Sequence, residues 1–143
     1  DPLIEGPVRD GEVKLLFRHY SVDQDRATGV GGIGAAAAGL QDHQWQFIEL
    51  FFRNQDVIDE QGVITQGFLE QVANGILNLN VEQWQRDFNK DEVRERLDQD
   101  EMRAVELRIP ADPAVLVSGP GGSELLVEAP SLAEVEQAIA AAE

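Results

Sequence analysis

The sequence predicts an α/β fold in which a single strand is separated from a β-hairpin by a block of helices. Apolar residues alternate with a period of two near the N-terminus and again after residue 113, and they recur at helical spacing over most of residues 22–107. The 143 residues suffice for one domain with its own core. This order of elements indicates a split α/β arrangement. Three strands would make a thin sheet, which suggests a further strand upstream.

The first predicted elements are the end of a helix and a strand. Residues 2–10 place apolar side chains at helical spacing, but Pro7 would interrupt the helix interior and Gly11 would end it. Residues 12–20 alternate along their length so that one side is largely apolar. They are therefore predicted to form the best strand of the chain.

Four or five helices are predicted before residue 107. An alanine run favours the first of them, and amphipathic patterns predict the next two. An Asn followed three residues later by Gln or Glu is a capping box and predicts the start of two more. The segments are residues 35–38, 45–54 and 64–77, followed by helices that begin at Asn80 and Asn89, the last of which reaches about residue 107.

Residues 108–143 follow a different pattern. Short apolar runs at residues 114–118 and 124–128 flank a Pro-Gly-Gly-Ser sequence that is typical of a turn, so the two runs are predicted to pair as a hairpin. Ser131 and Glu134 have the spacing of a capping box, which predicts a final helix.

The charge of the chain argues against two classes of partner. With 27 acidic and 11 basic residues the net charge is -16, and no cluster of Lys or Arg is evident. Nucleic acids and anionic membrane surfaces attract basic patches, so we expect neither as a partner. Acidic pairs such as Asp98 and Asp100 are interpreted as a solvated face. No apolar run is long enough to span a bilayer, and no signal peptide is evident.

Two motifs match ligand-binding patterns only in part. Gly29, Gly31 and Gly34 fit G-x-G-x-x-G, but a dinucleotide site needs these glycines in a turn directly after a strand. We interpret them as small residues that allow close helix packing, with a small-ligand enzyme as the alternative. Asp23 and Asp25 lack the further ligands of a calcium loop and are interpreted as a helix cap.

The remaining chemistry-bearing residues do not form a recognisable catalytic pattern. Without cysteine, the chain contains neither a disulfide nor a thiolate metal site. His19 is expected to be partly buried on the strand and His43 to be exposed, and their spacing does not match a zinc motif. Ser118 and Ser123 lie beside a glycine-rich turn with no histidine near them in sequence. The sequence therefore predicts no metal and no cofactor.

A series of short motifs runs through nearly the whole chain in a fixed order. Together they resemble the DsbA-like thioredoxin-fold thiol–disulfide oxidoreductases. Members often carry L-P-x-L, then G-x-V-x-x-x-F-R, an alanine-rich helix, an aromatic helix ending L-F-x-x-Q, and G-T-P-T before a hairpin. The matching residues are Pro2-Leu3, Gly11, Val13, Phe17-Arg18, residues 35–38, Trp45-Gln-Phe47, Leu50-Phe-Phe-Arg-Asn-Gln55 and Ala111-Asp112-Pro113-Ala114.

The resemblance implies a thioredoxin-like, DsbA-like domain over residues 1–143, with a helical insertion within residues 22–107. The family's C-x-x-C would lie upstream of Asp1, so the domain is expected to be incomplete at its N-terminus and no residue of this chain to be catalytic. Pro113 matches the family's cis-proline, with a trans bond as the alternative. Ala111, Asp112 and Pro113 would face the substrate, although Ala111 and Asp112 replace the usual Gly and Thr or Val.

Two functions follow from the resemblance. The first is dithiol–disulfide exchange on protein or peptide substrates outside the bacterial cytoplasm, in the periplasm or at the cell surface, with the cysteine pair absent from this chain. The alternative is a redox-inactive module that binds a peptide or protein through the loop at Pro113. Exposed sheet edges make a homodimer possible.

Overall fold

A computed structural model describes residues 2–20, 26–54 and 64–143. Within them the chain is mostly helical with one small sheet, which is compatible with an α/β fold. Asp23 and Asp25, the predicted helix cap, lie outside the described residues. The elements are a short π-helical turn at Ile4–Val8, the helices α1 (Arg26–Gly39), α2 (Gln44–Arg53), α3 (Gln66–Asn74), α4 (Val81–Asp87) and α5 (Asp91–Glu106), the strands β1 (Val115–Gly119) and β2 (Gly122–Leu126), and helix α6 (Leu132–Ala142).

Helix α1 lies at the centre of the helical block and contacts α2, α3, α4 and α5. Its small residues make this possible, because a helix surface of alanine and glycine lets neighbouring backbones approach closely. Residues 35–38 are all buried, and the side chains packed around them include Phe47, Leu69 and Trp84. The alanine run that predicted a helix therefore also forms the middle of the core.

The glycines of the G-x-G-x-x-G match lie inside α1, and two of them, Gly31 and Gly34, have an aromatic side chain packed against them. A Cβ atom at Gly34 would lie 2.7 Å from Cζ of Phe47, and one at Gly32 would lie 2.6 Å from Nδ1 of His19. The carbonyl oxygen of Gly34 accepts a hydrogen bond of 2.9 Å from the buried Trp84 indole. The match thus lies in a helix and not in the turn directly after a strand that a dinucleotide site needs, which supports the packing interpretation.

The capping predictions were correct for two helices and wrong for one. Asn80 accepts a hydrogen bond from the Gln83 backbone N–H, and Ser131 forms a full capping box with Glu134. Asn89 does not cap α5: its side chain donates to the Gln85 carbonyl and so closes the end of α4. Helix α5 begins one residue later, after Lys90.

The hairpin packs against α6. Its strands are antiparallel, with Val115 opposite Leu126 and Gly119 opposite Gly122, and both contact the helix. At the turn, the Gly121 N–H donates a 2.9 Å hydrogen bond to the carbonyl of Ala142, the last residue of α6. The hairpin and α6 therefore form one small layer, yet no residue of either strand is buried.

The strand predicted for residues 12–20 is not part of a sheet. Among the described residues, the strand pairing is that of β1 with β2. A strand is stabilised by a hydrogen-bonded neighbour, and no described strand pairs with residues 13–20. We call residues 13–20 the extended segment, after the strand that the sequence predicts there; the structure assigns these residues neither helix nor strand.

Candidate functional site

The three residues expected to face a substrate lie in the loop between α5 and β1. After α5, Arg108 adopts a left-handed conformation (φ 54°), and the chain then runs through residues 109–114, the Pro113 loop. Ala111 is partly buried, whereas Asp112 and Pro113 are exposed. The Asp112–Pro113 peptide bond is cis. The loop thus presents two consecutive exposed residues immediately before the first strand of the hairpin.

A second segment approaches the Pro113 loop from the far end of the hairpin. The Ala129 N–H lies 3.5 Å from the carbonyl oxygen of Pro113. Glu128 and Ala129 both have positive φ angles (61° and 54°), which turns the chain after β2 back toward the start of β1. Asp112 lies in the Pro113 loop and Glu128 in the segment that approaches it. Both residues are exposed. Sequence reasoning did not predict this approach, because non-glycine residues rarely adopt this conformation.

The extended segment is attached to the helical block by a buried carboxylate. Asp100, on α5, is only 6% exposed. One of its oxygens accepts a 2.8 Å hydrogen bond from the Arg18 guanidinium, and the other accepts a 3.1 Å bond from the His19 backbone N–H. Phe17 adds an edge-to-face contact with Trp45, with 6.1 Å between ring centroids. Side chains thus hold this segment where a neighbouring strand normally would.

The interpretation of Asp98 and Asp100 as a solvated pair was wrong for Asp100. Asp98 is exposed, but Asp100 lies on the inward side of α5. A signal was available, because Asp100 falls seven residues after the buried Val93 and four before the buried Ala104. An acid on an apolar stripe needs partners, and Arg18 and His19 provide them.

The two histidines are both half-buried, but their surroundings differ. His19 is half-buried, as expected, with its ring against Gly32 of α1. His43 was expected to be exposed, but it is half-buried and its Nδ1 is buried with no hydrogen-bond partner in the described part of the chain. The difference arises because His43 directly precedes α2 and its carbonyl accepts the Phe47 N–H, which draws the residue against the core.

Burial lowers the pKa of His19 from its ordinary value of 6.5, against the opposing attraction of Asp100 and Glu101. Because the unfolded chain then binds more protons below pH 6.5, the stabilising contribution of His19 is complete above that pH and declines as the pH falls toward the folded-state pKa. We expect the difference in urea midpoint between the wild type and His19→Gln to shrink on acidification from about pH 7.5 to about pH 5.5. His43→Gln is the control, and an unchanged difference for His19→Gln would contradict the assignment.

No catalytic centre assembles from the other residues singled out in the sequence. Ser118 and Ser123 face each other across the hairpin and are both exposed. Within residues 2–20, 26–54 and 64–143, no three His, Asp or Glu side chains are grouped so that they could hold a metal ion. The candidate site is therefore the Pro113 loop with its neighbour at Glu128 and Ala129.

Two curated proteins named probable disulfide bond formation protein D are similar to this chain. The protein from Bacillus anthracis is 26% identical over 118 residues, and that from Bacillus cereus is 25% identical over 118 residues. Each alignment covers 82% of this chain but only 54% and 55% of the relatives. The chain thus spans about half the length of the curated relatives it matches. No family model matches the chain, and no solved structure does so.

These similarities indicate a relationship to proteins of disulfide formation. No helix in the described part of the chain combines the length and apolar composition needed to cross a bilayer.

Proposed function

We propose that this chain forms the substrate-facing part of a DsbA-like thiol–disulfide oxidoreductase domain that acts outside the cytoplasm. The observation that carries the proposal is the similarity to two proteins named for disulfide bond formation over 82% of the chain. The Pro113 loop supports it, because Asp112 and Pro113 are exposed and lead directly into β1. The thioredoxin-like arrangement of the whole domain is part of this proposal.

The chemistry assigns distinct roles to the loop and to a cysteine pair. In disulfide exchange a thiolate attacks one sulfur of a disulfide, a new disulfide forms, and the other sulfur leaves as a thiolate. These 143 residues contain no thiol, so their role is to hold an extended peptide against the backbone of the Pro113 loop. A carboxylate beside a thiol disfavours the thiolate. Asp112 would therefore raise the pKa of a thiol brought next to the loop and slow its attack.

The alternative is a redox-inactive module that uses the same loop to bind a peptide or protein. It needs no thiol, and these 143 residues contain none. Both functions require peptide binding at the Pro113 loop, and only the first requires a thiol. Binding and redox activity must therefore be measured separately.

The binding experiment uses a fluorescent peptide from reduced, alkylated insulin B chain as the probe. We expect Pro113→Ala to weaken binding about tenfold, because it alters the loop that contacts the peptide. Pro120→Ala is the matched control, since Pro120 is also exposed but lies at the turn on the opposite end of the hairpin. Equal affinity of the wild type and Pro113→Ala would rule out the loop as the binding site and overturn both functions.

The redox experiment uses the product of the whole open reading frame. We expect it to accelerate the reduction of insulin by dithiothreitol, and to lose that activity after alkylation of its thiols. Peptide binding that depends on Pro113, without any thiol-dependent activity, would overturn the oxidoreductase and support the redox-inactive module.

A further inference from the structure

Glu128 places an exposed carboxylate beside the Pro113 loop. The Ala129 N–H lies 3.5 Å from the carbonyl oxygen of Pro113, so the residue directly before Ala129 lies at the border of the loop. A peptide that binds against the loop would therefore have Glu128 next to it.

The backbone at Glu128 adopts a conformation that favours glycine. Its φ angle is 61°, in the left-handed region, where the Cβ atom of any other residue crowds the backbone. Glycine would take this conformation without crowding, so glutamate does not stabilise the turn. What the residue contributes is its side chain. A residue held in a disfavoured conformation beside a candidate site suggests a functional role.

The other acidic residues near the loop are less suited to meet a ligand there. The carboxylate of Glu134 accepts hydrogen bonds from the backbone N–H and the hydroxyl of Ser131, at the start of α6. Asp112 already takes part in an interaction within the structure. Glu124 lies four residues before Glu128, toward the turn of the hairpin. Glu128 is thus the carboxylate best placed to meet a ligand at the loop.

The chain around the Pro113 loop carries negative charge. Residues 109–143 contain six acidic residues and no Lys or Arg, and Arg108 is the basic residue directly before the loop. The net charge of the whole chain is -16. Such a surface attracts basic segments and repels acidic ones. A peptide with Lys or Arg beside the residue bound at the loop would therefore gain most from Glu128.

A basic residue in the substrate also offsets the effect of Glu128 on a thiol. A carboxylate beside a thiol raises the pKa of the thiol and so lowers the thiolate fraction. A neighbouring Lys or Arg lowers that pKa. A substrate cysteine flanked by lysine brings the compensating charge with it and stays reactive beside Glu128. Binding and reactivity therefore favour the same class of substrate.

We propose that Glu128 makes the Pro113 loop selective for peptide segments in which a lysine or arginine adjoins the bound residue. This selectivity rests on the proposed function, because it assigns a substrate class to the same peptide-binding loop. Glu128 determines specificity here: its carboxylate meets the basic side chain of the substrate and takes no part in the exchange of sulfur.

Fluorescence anisotropy with three matched peptides tests the selectivity at about 0.15 M salt. Each peptide has the same apolar sequence around an S-alkylated cysteine, which is flanked by lysine, by glutamine or by glutamate. We expect the wild type to bind the lysine peptide about threefold more tightly than the glutamine peptide, and the glutamate peptide most weakly. The ratio of the affinities is compared between variants, because a disturbed fold weakens the binding of all three peptides alike.

Glu128→Gln should remove the difference between the lysine and glutamine peptides, and Glu128→Lys should favour the glutamate peptide. Glu124→Gln is the matched control, because it removes the same charge from another exposed residue of the chain. It should keep the preference for lysine. Equal loss of the preference in Glu124→Gln and Glu128→Gln would show that overall charge sets it, and would overturn the proposal.

The same peptides separate failure of the selectivity from failure of the proposed function. Equal affinity of the wild type for all three peptides, with weaker binding by Pro113→Ala, would refute the role of Glu128 and leave the proposed function standing. Unchanged binding of the lysine peptide by Pro113→Ala would place basic peptides away from the loop and refute both. The absence of binding by the wild type to any of the three peptides would also refute both.

Discussion

Gly34→Val is expected to lower the free energy of unfolding by about 3 kcal/mol, because it overfills a core that cannot yield. A Cβ atom at Gly34 would lie 2.7 Å from Cζ of Phe47, whose side chain is fully buried. Phe47 in turn stacks on Trp84, with 5.8 Å between ring centroids. Movement of Phe47 would therefore disturb the indole that donates to the Gly34 carbonyl.

Gly67→Val is the matched control for this substitution. Gly67 lies in helix α3, is exposed, and has only the Thr65 hydroxyl oxygen at 4.0 Å from its Cβ position. Valine is only a slightly better helix former than glycine, so we expect a change within about 0.5 kcal/mol. Urea unfolding followed by tryptophan fluorescence measures both variants. Similar losses for the two would show that helix propensity, rather than the contact with Phe47, sets the effect.

If Gly34→Val fails to fold, Gly34→Ala gives the same comparison with a smaller loss of stability. Its added methyl group meets the same Phe47 ring, while the gain in helix propensity offsets about 1 kcal/mol of the strain. Gly67→Ala should gain stability from the same propensity without any steric cost. The sign of the difference between the two alanine variants therefore decides whether Gly34 is required for packing.

The helices and the hairpin could be predicted because their signals are local. The alanine run, the aromatic helix at residues 45–54 and the capping box at Ser131 each depend on residues a few positions apart. The limits of this reasoning appear at Asn89, where two adjacent polar residues compete for one helix start and the side chain bonds backward to Gln85. Local patterns thus predict which elements exist better than where they begin.

The state of the extended segment could not be predicted, because strand pairing is not a local property. Its alternation of residues describes a backbone suited to a sheet, but alternation does not provide a neighbouring strand. The same limit applies to the candidate site. Pro113, Asp112 and Ala111 are consecutive, so the sequence places them together, whereas the approach of Ala129 to Pro113 depends on two non-glycine residues with positive φ.

Asp100→Ala is expected to release the extended segment from the helical block and to lower the free energy of unfolding by about 2 kcal/mol, because a partly buried donor loses its acceptor. The His19 backbone N–H bonds to Asp100 at 3.1 Å and would be left without a partner. The ion pair with Arg18 contributes less, since 61% of the Arg18 side chain is exposed and water screens its charge. Arg18→Ala should therefore have the smaller effect.

Hydrogen exchange at the His19 amide and the fluorescence of Trp45 measure this release. Loss of Asp100 should remove protection at His19 and loosen the contact between Phe17 and Trp45. Asp98→Ala is the control, because Asp98 carries the same charge on the same helix but is exposed. Unchanged protection of the His19 amide in Asp100→Ala would show that Asp100 does not hold the segment in place.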